Sequence, residues 1–234
     1  MRRLLIFFKH PTPGCVKTRL AAAIGDEAAA EVHRACVELT LERLSAFQAQ
    51  AVVCVDPPEA LEVTRQWIAS IPLRRVLGWA RGSHWLVRPQ IGSTLGERLS
   101  HATAEAFTEG AARVVVIGTD SPWLGADDIG WAFAALADHD LVLGPTEDGG
   151  YYLIGLSRPL PALFEGISWG TSSVYETTLA RARAAGLRFT TLPIGYDIDR
   201  VDDLQRFLKH HRSTRYFSRF EKYLVPEGRQ PCPS

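Results

Sequence analysis

Apolar residues fall into two kinds of run along this chain. Short unbroken stretches at residues 4–8, 51–55, 114–117, 141–143 and 151–156 are separated by longer stretches whose apolar positions recur every three or four residues. The first kind reads as strands, the second as amphipathic helices covering them. Residues 3–8 form the first strand, followed by HPTPGCVKTRL and an alanine-rich helical stretch. Residues 26–47 carry Ala29, Val32, Cys36, Leu39 and Leu44 at helical spacing. Residues 51–55 make a second strand that runs into Asp56, Pro57 and Pro58, where Asp56 reads as the end of an element and not as chemistry. A short helix at 61–68, a short strand at 85–87 and a helix at 97–107 come next. The strand 114–117, VVVI, is an unbroken β-branched run of the kind buried on both faces. Beyond it the pattern predicts a helix at 127–137, strands at 141–143 and 151–156, a helix at 172–185, a strand at 188–194 and a helix at 204–211. Strands alternating with helices predict an α/β protein with a mostly parallel sheet.

Several polar residues stand where such a fold meets ligands. Asp120 follows the central strand after Gly118 and Thr119, and Pro122 stops the ladder. The carboxyl ends of parallel strands are where ligands gather, so Asp120 is a candidate for a metal or a phosphate-bearing substrate; the plainer alternative is a turn or helix cap. Lys9, Lys17 and Arg19 surround Gly14 on the first strand-to-helix connection and form a candidate anion cradle, although Val16 precedes Lys17 and the Walker pattern is missing. A solvated basic loop is the plainer reading there. In QIGSTLGERL, Gly92 and Gly96 could let backbone approach a flat ligand, with Arg98 facing it; a plain loop into the helix at 97–107 is the alternative. Glu147, Asp148, Gly149 and Gly150 form a turn. In an extended segment Asp197 and Asp199 project to one side with Ile198 between them, and two like charges there need a cation or strong donors. Asp202 and Asp203 open a helix, where the dipole favours them.

Composition narrows the class. The 234 residues can bury one sizeable core, and 46% hydrophobic with 22% charged residues is ordinary for a globular protein. Lys plus Arg balances Asp plus Glu at 26 each, so nucleic acid or an anionic membrane is not an expected partner, and an anionic ligand must be held by local charge. The apolar run at 4–8 is too short for a signal core or a membrane span. Cys15, Cys36, Cys54 and Cys232 show no metal or disulfide spacing, which leads us to expect reduced thiols and a cytoplasmic protein. We expect one domain over residues 1–212 and a surface extension over 213–234 that could form a homodimer contact.

The segments FFKHPTPGCVKTRL, LGERL, IGTDSPWL, GPTEDGGYYLIGL, SWGTSSVYETTL and YDIDRVDDL, in that order, make the chain resemble the GT-A nucleotide-diphospho-sugar transferase superfamily. More narrowly it resembles the glycosyltransferase-like DUF2064 family, related to the guanylyltransferases of cofactor F420 and molybdopterin biosynthesis. The resemblance implies a single-domain, Rossmann-like GT-A three-layer sandwich. It also implies phosphate binding by Gly14, Lys17 and Arg19, and approach to the base by Gly92, Leu95 and Arg98. Asp120, Asp197 and Asp199 would hold Mg2+ or Mn2+, and Asp148 would orient the acceptor, leaving Asp120, Lys17 and Asp148 as the catalytic set. The partners implied are a nucleotide or nucleotide-sugar donor and a small-molecule acceptor. The first loop lacks the LxGGxGxR form of typical nucleotidyltransferases, and DIDR stands where related enzymes often have DIDTPEDL. Glycosyl transfer is therefore the first expectation, nucleotidyl transfer with release of pyrophosphate the second, and an inactive nucleotide-binding module the third.

Overall fold

The computed structural model describes residues 1–45, 47, 50–71, 86–211, 220, 221 and 223. The chain alternates β1 (Arg2–Lys9), α1 (Thr18–Ile24), α2 (Asp26–Leu44), β2 (Gln50–Asp56), α3 (Leu61–Ser70), β3 (Leu86–Pro89), α4 (Leu95–Thr108), β4 (Arg113–Ile117), α5 (Ala126–Ala135), β5 (Leu141–Pro145), β6 (Tyr151–Leu156), α6 (Val174–Ala184), β7 (Phe189–Thr191) and α7 (Val201–His210). The strands form one sheet in the order β3-β2-β1-β4-β6-β5-β7. Pairings β3-β2, β2-β1, β1-β4 and β5-β7 are parallel, while β6 runs antiparallel to both β4 and β5. This is the expected α/β architecture with a mostly parallel sheet.

Because side chains alternate across a strand, each buried run feeds two cores. Leu4, Ile6, Phe8, Val53, Val55, Val115 and Ile117 pack on one face with Trp67 of α3 and with Ile129 and Phe133 of α5. Leu5, Phe7, Val52, Cys54, Val114 and Val116 pack on the other with Leu99 of α4 and Leu179 of α6. A third cluster joins α1, α2 and α7 through Leu20, Val32, Cys36, Leu204 and Phe207, and it includes Ile198. The layers are thus helix, sheet, helix, which is why the unbroken runs need no polar face.

Two expectations need adjustment. The late strand covers only Phe189–Thr191 and not 188–194, since Leu192, Pro193 and Ile194 leave the ladder before a single bridge between Thr146 and Gly195. The strand expected at 85–87 is observed as Leu86–Pro89, and Trp85 lies outside the described residues. The expected extension at 213–234 also falls largely outside them; of its residues, Phe220 packs in the α1–α2–α7 cluster.

Candidate functional site

Four connections leave the carboxyl ends of β1, β2, β3 and β4 on the same edge of the sheet, as parallel pairing requires, and they enclose a crevice of about 730 Å³. Its wall includes Lys9 at the end of β1 and Lys17 on the connection after it, Asp56 at the end of β2, Gln90 after β3, Leu95 and Arg98 on α4, Asp120 and Ser121 after β4, and Asp197 and Asp199 from the late segment.

Lys17 lies at its centre. Its backbone adopts φ 50 and ψ 41 immediately before α1, a left-handed conformation that costs a non-glycine residue free energy. That turn buries the side chain to 2% exposure and sets Nζ 2.5 Å from Asp120 Oδ1 and 3.3 Å from Asp199 Oδ1. Burial opposes the charged form of Lys17, but the charges of Asp120 and Asp199 outweigh it and raise its pKa above the usual lysine range. For Asp120, burial is likewise outweighed by the Lys17 charge and by His33, which hold the carboxyl below the usual carboxylate range. His33, buried on α2, donates Nε2–H to the Lys9 carbonyl at 2.9 Å, because a carbonyl can only accept, and its Nδ1 faces Asp120 Oδ1 at 3.6 Å. Arg19 is half exposed and reaches Asp199 Oδ2 at 3.5 Å.

The two late aspartates differ. Asp197 accepts a 2.5 Å hydrogen bond from Ser121 Oγ. Burial, with the charges of Asp120 and Asp199, pushes it up to about 7 against that bond and Lys17. Ile198 between them is fully buried, as the alternation requires. Asp203 folds back to accept backbone N–H groups of Arg200 at 2.7 Å and Asp199 at 3.1 Å, so the cap of α7 also places Asp199. Asp120, Asp197 and Asp199 offer only carboxylate oxygens, the donor class of Mg2+. Among the described residues, no three His, Cys, Asp or Glu side chains converge into a ready metal cage. Asp120 and Asp199 instead flank an ammonium and remain partly open to the crevice, an arrangement suited to a cation shared with ligand phosphates.

The remaining candidates distribute as follows. Leu95 and Arg98 line the crevice. Gly92 shapes its rim: at φ +135 a Cβ would sit 2.7 Å from Glu97 Cβ, and the Gly92 carbonyl accepts from Arg98 Nε at 2.9 Å. Gly14, at φ +76, turns the first loop without forming its wall. Asp148 is absent from the crevice lining; its Oδ1 accepts from Thr146 Oγ1 at 2.6 Å and from the Gly150 N–H at 3.1 Å, holding the β5–β6 turn. Asp56 ends β2 as expected, and in addition it is buried in the crevice wall, where its Oδ2 pairs with Arg98 Nη1 at 2.7 Å. Gln90, Ser121 and His33 were also missed. Only His33 left a trace in the sequence, since it lies on the buried face of α2 between Val32 and Cys36.

Comparison with known proteins places the chain. The sequence profile of DUF2064, a family whose description reads uncharacterized protein conserved in bacteria, matches residues 40–171. The chain belongs to the DUF2064 family. A phosphoenolpyruvate guanylyltransferase of Sphaerobacter thermophilus is 30% identical over 200 residues, covering 83% of this chain and 87% of that protein. Its counterpart in Chloroflexus aggregans is 30% identical over 152 residues, covering 63% and 73%. A crystal structure from Desulfovibrio desulfuricans G20, provisionally assigned as a nucleotide-diphospho-sugar transferase, superposes with a TM-score of 0.82 at 33% identity over 95% of this chain and 96% of that one. The GT-A-type fold expected of DUF2064 members is therefore the fold of this chain. No helix among the described residues is long and apolar enough to cross a membrane.

Proposed function

We propose that this protein is a nucleotidyltransferase: the phosphate of a small phosphorylated acid attacks the α-phosphorus of a nucleoside triphosphate, the bond to the β-phosphate breaks and pyrophosphate leaves. The observation that carries this reading is that both curated relatives are named phosphoenolpyruvate guanylyltransferase, one of them matching most of the chain. It supports GTP as donor and a phosphoenolpyruvate-like acid as acceptor, and it favours our second expectation, nucleotidyl transfer, over glycosyl transfer.

The crevice supports the same chemistry. Transfer at phosphorus is accelerated chiefly by positive charge placed where negative charge develops. Lys17, at the N-cap of α1, is held by burial and by Asp120, and the more exposed Arg19 stands in the first turn of α1, so the two place cations at the N-terminus of α1, where a phosphate chain would enter. A divalent cation held by Asp120 and Asp199, with Asp197 close by, would supply further positive charge to the leaving pyrophosphate. The test is direct: incubate the protein with Mg2+, each of the four nucleoside triphosphates and phosphoenolpyruvate, and assay pyrophosphate. Release from GTP that depends on the acceptor is expected. Nucleoside diphosphate released from a diphospho-sugar, with no pyrophosphate from any triphosphate, would restore the glycosyl reading.

A further inference from the structure

The β2–β3 end of the crevice holds a polar corner that the phosphate chemistry does not use. Gln90 is 5% exposed, and its amide Nε2 donates to two main-chain carbonyls, Phe8 O at 3.1 Å and Cys54 O at 2.9 Å. Both amide hydrogens are thus spent, and carbonyls cannot donate, so Oε1 is the only group that Gln90 can offer a ligand, and it is an acceptor. The Gln90 backbone N–H bonds Val55 O at 2.8 Å, which seats Gln90 beside the next residue, Asp56. Asp56 spends Oδ2 on Arg98 at 2.7 Å, and its Oδ1 has no hydrogen bond among the described residues. Arg98 is pinned in turn by Nε to Gly92 O, which leaves Nη2 as a donor. All three residues line the crevice. They present two fixed acceptors, one of them charged, next to one cationic donor.

We propose that Asp56, Gln90 and Arg98 read a guanine base. The proposal rests on the nucleotide-binding reading above and adds the residues that select the base. Guanine offers two adjacent donors, N1–H and the 2-amino group, beside the O6 acceptor, which is the complement of this corner. Adenine has no 2-amino group, carries a bare acceptor at N1 and puts an amino group where O6 would be. It would set N1 against the acceptors and its amino group against the guanidinium. The sheet supports the placement. The corner stands at β2 and β3, the cations follow β1 and Asp120 follows β4, in the spatial order β3-β2-β1-β4. From β2 to β4 is two strand spacings, roughly 10 Å, a span on the scale of a nucleoside lying between its base and its first phosphates.

Nucleoside diphosphate binding, measured by calorimetry, tests this without relying on turnover, and GDP, IDP, XDP and ADP are the probes. Inosine lacks only the 2-amino group, so the parent protein is expected to bind IDP about ten- to a hundredfold more weakly than GDP, the loss of one charge-assisted hydrogen bond. ADP is expected to bind more weakly still. In Asp56→Asn, Arg98 retains the amide oxygen and the new amide donates into the crevice. That variant should lose its preference for GDP and gain affinity for XDP, whose 2-position is a carbonyl. Equal affinity of the parent for GDP and IDP would overturn the proposal, and so would an Asp56→Asn protein that still prefers GDP to XDP; either result leaves nucleotide binding itself standing. Binding of no nucleoside diphosphate at all would overturn the nucleotide reading and this proposal with it. The IDP comparison needs no variant, so the proposal stays testable even if Asp56→Asn does not fold.

Discussion

Replacing Lys17 with methionine keeps the buried aliphatic stem and removes the charge that Asp120 and Asp199 share. Coulomb attraction at an effective dielectric constant near 20 amounts to ~7 kcal/mol across the 2.5 Å contact and ~5 kcal/mol across the 3.3 Å contact, before the cost of burying an ammonium is subtracted. That cost is several kcal/mol, and removing one member of a fully buried pair typically destabilises by about 3–5 kcal/mol. The carboxylates here are 45% and 36% exposed, so water recovers part of the loss, and we expect about 2–3 kcal/mol. For a chain of this size that corresponds to a fall in Tm of about 4–12 °C. Thermal melts of parent and variant at pH 7, in low and high salt, give the number. A second readout tests the geometry separately from stability: with the ammonium gone, Asp120 and Asp199 should bind Mn2+ in the absence of nucleotide more tightly than in the parent, as seen by electron paramagnetic resonance. An unchanged Tm together with unchanged Mn2+ affinity would show that Lys17 does not stand between the two acids.

Arg19→Ala removes a half-exposed cation from the first turn of α1 and is expected to weaken nucleotide binding by about 1–3 kcal/mol with little effect on stability, measurable by calorimetric titration. Asp203→Ala should cost about 1–2 kcal/mol, because the backbone N–H groups of Asp199 and Arg200 lose their acceptor, whereas Asp202→Ala should cost less, about 0.3–1 kcal/mol from the helix dipole; urea unfolding of the pair separates cap from dipole. Glu109 is held below the usual carboxylate range first by its hydrogen bond to Arg88 and then by that to buried Arg3. A depressed carboxyl stabilises the fold above its unfolded pKa, and the contribution disappears as pH falls through the folded value. Glu109→Gln should therefore be less stable than the parent at pH 7, and the difference should close below about pH 4; a gap that persists at pH 3 would assign the loss to packing.

The strands and helices were legible in the residue pattern because their cause is local. An unbroken run such as Val114–Ile117 must be covered on both faces, and the spacing of Ala29, Val32, Cys36 and Leu39 must turn one side of a helix inward, wherever those elements later pack. The alternation of Asp197, Ile198 and Asp199 likewise foretold one buried apolar residue between two carboxylates facing the crevice. Pairing between distant residues has no such local cause. Lys17 meets Asp199 across 182 positions because β1 and β4 are neighbours and α7 packs with α1, so the candidate phosphate cation is also shared by two acids. Asp56 reads as an ending in its own context, before two prolines, and becomes a wall of the crevice only because β2 lies between β1 and β3 and brings Arg98 and Gln90 to it. Asp148, to which the resemblance gave an acceptor-orienting role, lies off the crevice lining, and its carboxylate accepts the hydroxyl and N–H of its own turn, contacts that are local. Sequence periodicity determines which face of an element is buried, whereas the electrostatics of the site depend on distances that exist only once the sheet order is set.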